Sequence, residues 1–309
     1  MECEVDSGVD SEARDDGINN LLLIVNPSSG RGISRTALGT IVSQFCDSGR
    51  FVTVCFTGEK TAEQLAFDHA KYFETVVCVG GDGTLSSVVS GLVRSGVSIP
   101  VGYIPAGTAN DIAHTHALSR APYEAVRTIL NGKQRPLDIG FFIDRYFTYI
   151  AAFGAFTDIA YSTPQSSKRA FGHFAYILEG FAGVSAIKAQ HAVIKYDGGV
   201  IEGDFIFGGV MNSTSVAGFV KLDPELVDLA DGMFEVILVK QPIIFADFLN
   251  ILTSIATMSY DGDNVLMFRA SKVSFTFKKP VAWTVDGEDG GSHKHADITN
   301  CREAIRIIV

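Results

Sequence analysis

Thr75-Val76-Val77-Cys78-Val79-Gly80-Gly81-Asp82-Gly83-Thr84-Leu85 is the stretch around which the chain is organised. Thr75–Val79 are residues of strand type, and they run into a glycine turn carrying one acid and one hydroxyl. Behind the turn, Leu85, Val88, Val89, Leu92 and Val93 keep helical spacing. The reading is strand, tight turn, helix start. Glycines let a backbone approach a ligand closely, and amides at a helix N-terminus attract phosphate. A carboxylate in that place repels phosphate unless it holds a metal ion or positions water and cations. Asp82 therefore reads as part of a nucleotide-phosphate and Mg2+ site. A capping aspartate in a plain turn is the alternative.

The same pattern recurs on both sides of this stretch. Leu21–Val25 reads as a buried strand, followed by the polar turn Asn26-Pro27-Ser28-Ser29-Gly30-Arg31-Gly32. Ser34 then caps a helix through about Cys46, with Leu38, Ile41, Val42 and Phe45 on one face. Phe51–Phe56 is the next strand and Ala62–Tyr72 the next helix. Pro100–Ile104 is a further strand, and Pro105-Ala106-Gly107-Thr108-Ala109-Asn110-Asp111 a further turn before a helix. Strands alternating with helices predict a parallel sheet covered on both faces, a doubly wound α/β domain. In such sheets ligands bind beyond the C-terminal strand ends. All three turns follow strands, so all three are expected on that one edge.

From about Pro136 the rhythm changes. Asp138–Phe142, Tyr146–Phe153, Val193–Tyr196, Gly203–Val210, Phe234–Val239, Val265–Arg269 and Val273–Phe277 read as strands, several joined by short turns. They predict an antiparallel sandwich or barrel. Helical pieces are expected near 172–186 and 243–258, and Ala304–Val309 is a last strand able to return to the first domain. The expected organisation is an acidic, disordered tail at 1–17, an α/β domain at 18–136, a β-sandwich domain at 137–300 and a returning strand at 301–309.

The bulk properties set limits. The 309 residues, 47% hydrophobic and 19% charged, suffice for two folded domains. A formal net charge of -10 argues against nucleic acid as a partner, and against retention on anionic lipid by overall charge. Cys3, Cys46, Cys55, Cys78 and Cys301 form no zinc spacing, and reduced thiols in a cytosol are expected. No signal peptide and no membrane-spanning run is read, so the expectation is a cytoplasmic protein whose membrane contact is local and peripheral.

With these turns in place the chain resembles the soluble diacylglycerol-kinase catalytic family, which includes bacterial lipid kinases and the sphingosine and ceramide kinases. The matching strings are Asn26-Pro27-x-Ser29-Gly30-Arg31, Gly80-Gly81-Asp82-Gly83-Thr84, Pro105-x-Gly107-Thr108-x-Asn110-Asp111, Asp138-x-Gly140, Pro224 with Asp231-Gly232, and Asp286-Gly287-Glu288. They stand in the family's order over nearly the whole chain. The resemblance implies a two-domain fold with ATP in the cleft and transfer of its γ-phosphate to a lipid hydroxyl. Asn26, Ser29 and Gly30 are then phosphate-side groups, with Arg31 a charge for the transferring group. Gly80, Gly81, Asp82, Gly83 and Thr84 line the triphosphate, with Gly107, Thr108 and Asn110 across from them. Thr57 matches a position near the nucleotide base, and a plain strand-end threonine fits that spacing as well. Asp82 and Asp111 are expected to hold Mg2+ directly or through water. Asp111 also reads as a helix cap.

Asp286 is the expected general base, since a lipid hydroxyl loses its proton as it attacks phosphorus. Glu288, on the same side if the strand persists, is expected to orient a cation or the substrate. An Asp-Gly hairpin turn is the alternative. The resemblance further implies a second, structural Mg2+ on Asp231, with backbone carbonyls near Asp228 and Met233. Two departures stand out. Ser86 and Ser87 replace the Asn-Glu that family members often carry, and His114 stands near a position that is often arginine.

The expected activity is ATP-dependent lipid phosphorylation. Diacylglycerol comes first among acceptors, with a sphingoid base or phosphatidylglycerol next, presented at a membrane surface. A homodimer is left open. A kinase of a soluble substrate, of the NAD or sugar-phosphate type, shares the Gly-Gly-Asp-Gly signature. A non-catalytic nucleotide- or lipid-binding protein is the third reading.

Overall fold

The computed structural model describes residues 20–30, 33–108, 110–154, 187–216, 220–222, 227–260 and 262–309. The expected tail at 1–17, the helix near 172–186, Arg31 and Pro224 lie outside them. The chain divides into two compact units, one running to Ile139 and taking in Cys301–Val309, the other being Gly140–Asn300. The first mixes helices with parallel strands; the second is rich in strands.

In the first unit β1 (Asn20–Val25) pairs in parallel with β2 (Phe51–Phe56) and with β3 (Thr75–Gly80). Strand β3 pairs in parallel with β4 (Pro100–Pro105). Leu21–Val25 and Val76–Val79 are buried along their whole length, as a sheet with both faces covered requires. Helix α1 (Arg35–Asp47) starts where Ser34 accepts a hydrogen bond from the Ala37 amide, and it buries Ile41 and Phe45. Helix α2 (Ala62–His69) opens on a Thr61–Gln64 capping box. Helix α3 (Asp82–Ser95) crosses α2 closely at Gly91, where a Cβ would lie 2.3 Å from the Glu63 carbonyl oxygen. After the short α4 (Asp111–Thr115) comes α5 (Pro122–Asn131), which the sequence reading did not anticipate. Pro122 pre-sets its first turn, and Ala125, Val126 and Ile129 pack with Phe45 and Leu23.

The second unit begins within β5 (Gln134–Phe142) and continues with β6 (Arg145–Phe147), β7 (Ile150–Gly154), β8 (Gln190–Tyr196) and β9 (Gly199–Met211). A short pair follows, β10 (Ser215–Val216) and β11 (Val220–Lys221), then β12 (Phe234–Lys240), α6 (Phe245–Thr257), β13 (Val265–Ala270), β14 (Lys272–Val285) and β15 (Glu288–Ile308). Its pairings are antiparallel: β9 with β7, β8 and β12, β12 with β13, and β14 with β7, β8 and β15. The core is aromatic, with Phe153 against Phe275, Phe277 and Trp283 at centroid distances of 5.6, 4.9 and 5.1 Å.

Two local expectations are corrected. Tyr146–Phe153 is not one strand, because Thr148 and Tyr149 break it to present their amides to a carboxylate. The final strand begins near Glu288 rather than at Ala304. Its last part pairs in parallel with β4, Arg306 opposite Pro100 and Ile307 opposite Val101. No helix among the described residues is long and apolar enough to cross a membrane.

Candidate active site

The three glycine turns meet at the C-terminal ends of β1, β3 and β4. Asn26 ties the first turn to the second, its Nδ2 donating to Thr84 Oγ1 at 3.0 Å. Ser29 Oγ shares a hydrogen bond with Thr84 Oγ1 at 3.3 Å and accepts one from the Gly81 amide at 3.3 Å. The Ala106 amide donates to the Gly80 carbonyl at 2.7 Å, joining the third turn to the second. The glycines are required by closeness. Gly30 has φ +57°, and a Cβ there would lie 2.5 Å from the Ala106 carbonyl oxygen. A Cβ on Gly107 would lie 2.6 Å from the Gly81 Cα. Gly83 sits inside the first turn of α3, and its carbonyl accepts from Ser87 Oγ.

Asp82 is the hinge of this rim. It is buried, and its two carboxylate oxygens accept from the Asp111 amide at 3.0 Å and the Ile112 amide at 3.2 Å. It thus caps α4 while heading α3, so the capping alternative weighed for it is physically present. Asp111, also buried, follows directly. Two buried carboxylates on neighbouring turns are oxygen donors of the kind a hard divalent ion takes. Asn110 does something else. It adopts φ 55° and closes a ring on Gly107, accepting from its amide at 2.9 Å and donating to its carbonyl at 3.0 Å. It holds the third turn in shape. Thr108 is exposed, and its carbonyl accepts from Arg120. Thr57 stands just past β2, its amide on the Val25 carbonyl at 2.9 Å. Below the rim, burial and the charge of Asp82 push the Cys78 thiol far up, so it is inert.

In the second unit Asp286-Gly287 is the hairpin turn between β14 and β15, with φ 49° and 79°. The strand does not persist across it, so Asp286 and Glu288 do not share a face by strand alternation. Asp286 nevertheless does not point to water as a hairpin aspartate ordinarily does. It is buried, and it accepts from the Thr148 amide (2.7 Å), Thr148 Oγ1 (2.8 Å), the Tyr149 amide (3.0 Å) and the Ile150 amide (3.0 Å). Donors converging on one carboxylate stabilise its charge and fix its direction. These amides were invisible in the sequence, since a backbone group has no residue signature. Glu288 is exposed by surface area yet close enough to protein to lose part of its hydration. That desolvation raises its carboxyl above the ordinary value, the charge of Asp286 adds to the rise, and Arg145 opposes it.

The 228–233 turn is arranged differently from expectation. Asp228 accepts from the Ala230 amide at 3.0 Å and Asp231 from the Met233 amide at 2.9 Å. The other Asp231 oxygen is paired with Arg269, which also faces the fully buried Glu235 at 3.5 Å. A structural Mg2+ on Asp231 would share that carboxylate with the Arg269 guanidinium. The Asp138-x-Gly140 string is explained by packing. Asp138 accepts from the Glu303 amide at 2.7 Å, and a Cβ on Gly140 would lie 2.1 Å from the Phe147 ring. Among the described residues no group of three or more His, Cys, Asp and Glu is placed to hold a metal ion.

A parallel α/β unit with linked glycine turns at its strand ends is the class in which nucleotide-dependent transferases are found. Residues 20–142 match the diacylglycerol kinase catalytic domain. The chain is 32% identical to a diacylglycerol kinase of Bacillus subtilis (strain 168) over 87% of this chain and 89% of the relative. It is 31% identical to one of Staphylococcus aureus (strain NCTC 8325 / PS 47), over 87% and 86%. A solved structure from Bacillus anthracis str. Sterne superposes with a TM-score of 0.78 at 21% identity, covering 94% of this chain and 97% of that one. A diacylglycerol kinase from the same strain gives 0.71 at 20%. The chain belongs to the diacylglycerol kinase family, and so to the phosphotransferases with an alcohol group as acceptor.

Proposed function

We propose that this chain is a lipid kinase that moves the γ-phosphate of ATP to a lipid hydroxyl, with diacylglycerol first among acceptors. The observation that carries the reading is the rim: three turns far apart in sequence, hydrogen-bonded into one edge, in a chain whose relatives are diacylglycerol kinases. Ser29, Gly30, Gly80, Gly81, Gly83, Thr84 and Gly107 hold the phosphates, with Asn26 and Asn110 keeping the turns in shape. Thr57 lies on the base side, Thr108 on the outer wall, and Arg31 offers charge to the transferring group. Asp82 and Asp111 hold Mg2+, which when bound offsets the negative charge of the triphosphate. A second Mg2+ at Asp231, with Asp228 and Met233 beside it, would have a structural role only.

Asp286 takes the acceptor's proton as its oxygen bonds to phosphorus and the γ-phosphate leaves ADP. Four donors fill the lone pairs of its two oxygens, and the Thr148 hydroxyl is the one of them that can turn away to admit the proton. Glu288 orients the acceptor or a cation. The finer architecture belongs to the same proposal: a doubly wound nucleotide domain at 18–136 and a lipid-binding β-sandwich at 137–300.

The test is incubation of the purified chain with γ-labelled ATP, Mg2+ and a mixed lipid extract. Label in the organic phase on phosphatidic acid is the expected result. Label only on water-soluble acceptors, or ATP binding with no transfer, overturns it.

A further inference from the structure

Helix α6 of the second unit is apolar on both sides. Its inner face buries Phe248 and Ile251, and Phe248 packs with Ile206, Ile187 and Leu252. Its outer face and lead-in leave Ile243 84%, Ile244 58%, Phe245 56% and Leu249 45% exposed. Phe245 and Leu249 are one turn apart and share that face. The only charged side chain from 243 to 258 is Asp247, and its carboxylate is folded back onto the amides of Ile243 and Ile244 at 2.8 and 3.1 Å. Asp247 keeps its charge at the helix start, and the apolar side chains beside it are costly to leave in water unless something covers them.

Its surroundings say what covers it. Ile187, which packs beneath α6, also lines an open cavity of about 510 Å³ with Lys188, Lys278 and Lys279. Lys278 and Lys279 stand where the β14 register shifts between Thr276 and Val281. None of these exposed lysines makes an ion pair with a described residue. The nearby acids Glu202 and Asp204 are both engaged with His191. In a chain of net charge -10 this is a local concentration of free cations beside an exposed apolar face. A second copy seated on α6 would bring two sets of these lysines together, and like charges oppose that pairing. An anionic bilayer surface matches both halves of the patch at once.

We propose that α6 and its lead-in dock the protein on bilayers containing anionic lipid. Ile243, Ile244, Phe245 and Leu249 enter the headgroup–acyl boundary, and Lys188, Lys278 and Lys279 meet the headgroups. This deepens the lipid-kinase reading and rests on it for its purpose, but vesicle binding is measured without nucleotide or transfer.

The experiment is cosedimentation with phosphatidylcholine vesicles, with and without phosphatidylglycerol. Wild type is expected to bind only the anionic vesicles, less so in high salt. Ile244→Ser with Phe245→Ser, and separately Lys278→Glu with Lys279→Glu, should each lower the partition by about tenfold or more. Both variants should keep the wild-type melting midpoint and wild-type turnover of a short-chain, water-soluble diacylglycerol. Binding by the variants equal to wild type overturns the proposal, as does wild type that ignores anionic vesicles. So does sedimentation equilibrium showing a wild-type dimer that the first variant dissolves without any change in vesicle binding. Loss of lipid phosphorylation with vesicle binding intact counts against the kinase reading and leaves the docking surface standing.

Discussion

At the scale of single residues, Asp286 shows how one side chain serves two demands. Its backbone makes the hairpin turn, and its carboxylate gathers amides from 148–150. Asp286→Asn keeps the shape and removes the proton acceptor. Turnover should fall by at least about a hundredfold while nucleotide affinity by calorimetry stays near wild type; equal turnover removes Asp286 from the chemistry. Gly140 is the opposite case, a residue whose role is to be small. Gly140→Ala forces a methyl into the Phe147 ring and should cost about 1–3 kcal/mol in denaturant unfolding, recovered in part by Phe147→Leu. Gly140 stood out in the sequence as part of a motif, but its reason did not, because Phe147 becomes its neighbour only through the β5–β6 pairing. Asp286 likewise could be picked out, while its donors could not.

At the scale of elements, the strands and helices up to β4 were legible because each carries a clear period and a clear stop. Ser34 and Thr61 announce helices, and the glycine turns end strands. Helix α5 was missed because its ten residues follow a turn-rich stretch and bury only Ala125, Val126 and Ile129. The Ser29–Thr84 contact couples the turn after β1 to the head of α3. In a double-mutant cycle, Ser29→Ala and Thr84→Val should show a coupling of about 0.5–3 kcal/mol, and strict additivity would mean that the turns are independent. Arg269 was not legible at all. A lone arginine in a strand gains meaning only when the β12–β13 register sets it opposite Glu235. Arg269→Ala should lower stability by about 1–3 kcal/mol, because a buried carboxylate loses its cation. Added Mg2+ should not restore it, whereas full rescue by Mg2+ would point to the structural metal.

At the scale of the molecule, His116 is one contributor to the pH dependence of folding. Burial, and then the charge of Arg135, lower His116 from 6.5 to about 4. Between those values the unfolded chain takes up a proton that the folded chain refuses, so stability is lost as pH falls from about 6.5 to about 4. Above that window the contribution is complete. In His116→Gln the melting midpoint should decline less steeply across the same interval; an unaltered slope would assign the acid loss to carboxylates instead. The overall plan, helices with parallel strands first and antiparallel strands after, was readable from the change of rhythm near 136. The strand ending of the chain was not fully readable, because β15 is polar for half its length and changes partner from β14 to β4. That change of partner has a consequence for biosynthesis. Lys133 and Val309 exchange backbone hydrogen bonds, and among the described residues the β4 edge away from β3 pairs with Arg306 and Ile307. A nascent chain halted before residue 301 has made every turn of the rim but leaves an open strand edge, a template for aggregation. The earliest unit to be translated is therefore among the last to be sealed, and ribosomal stalling late in the message should yield insoluble product rather than a folded fragment.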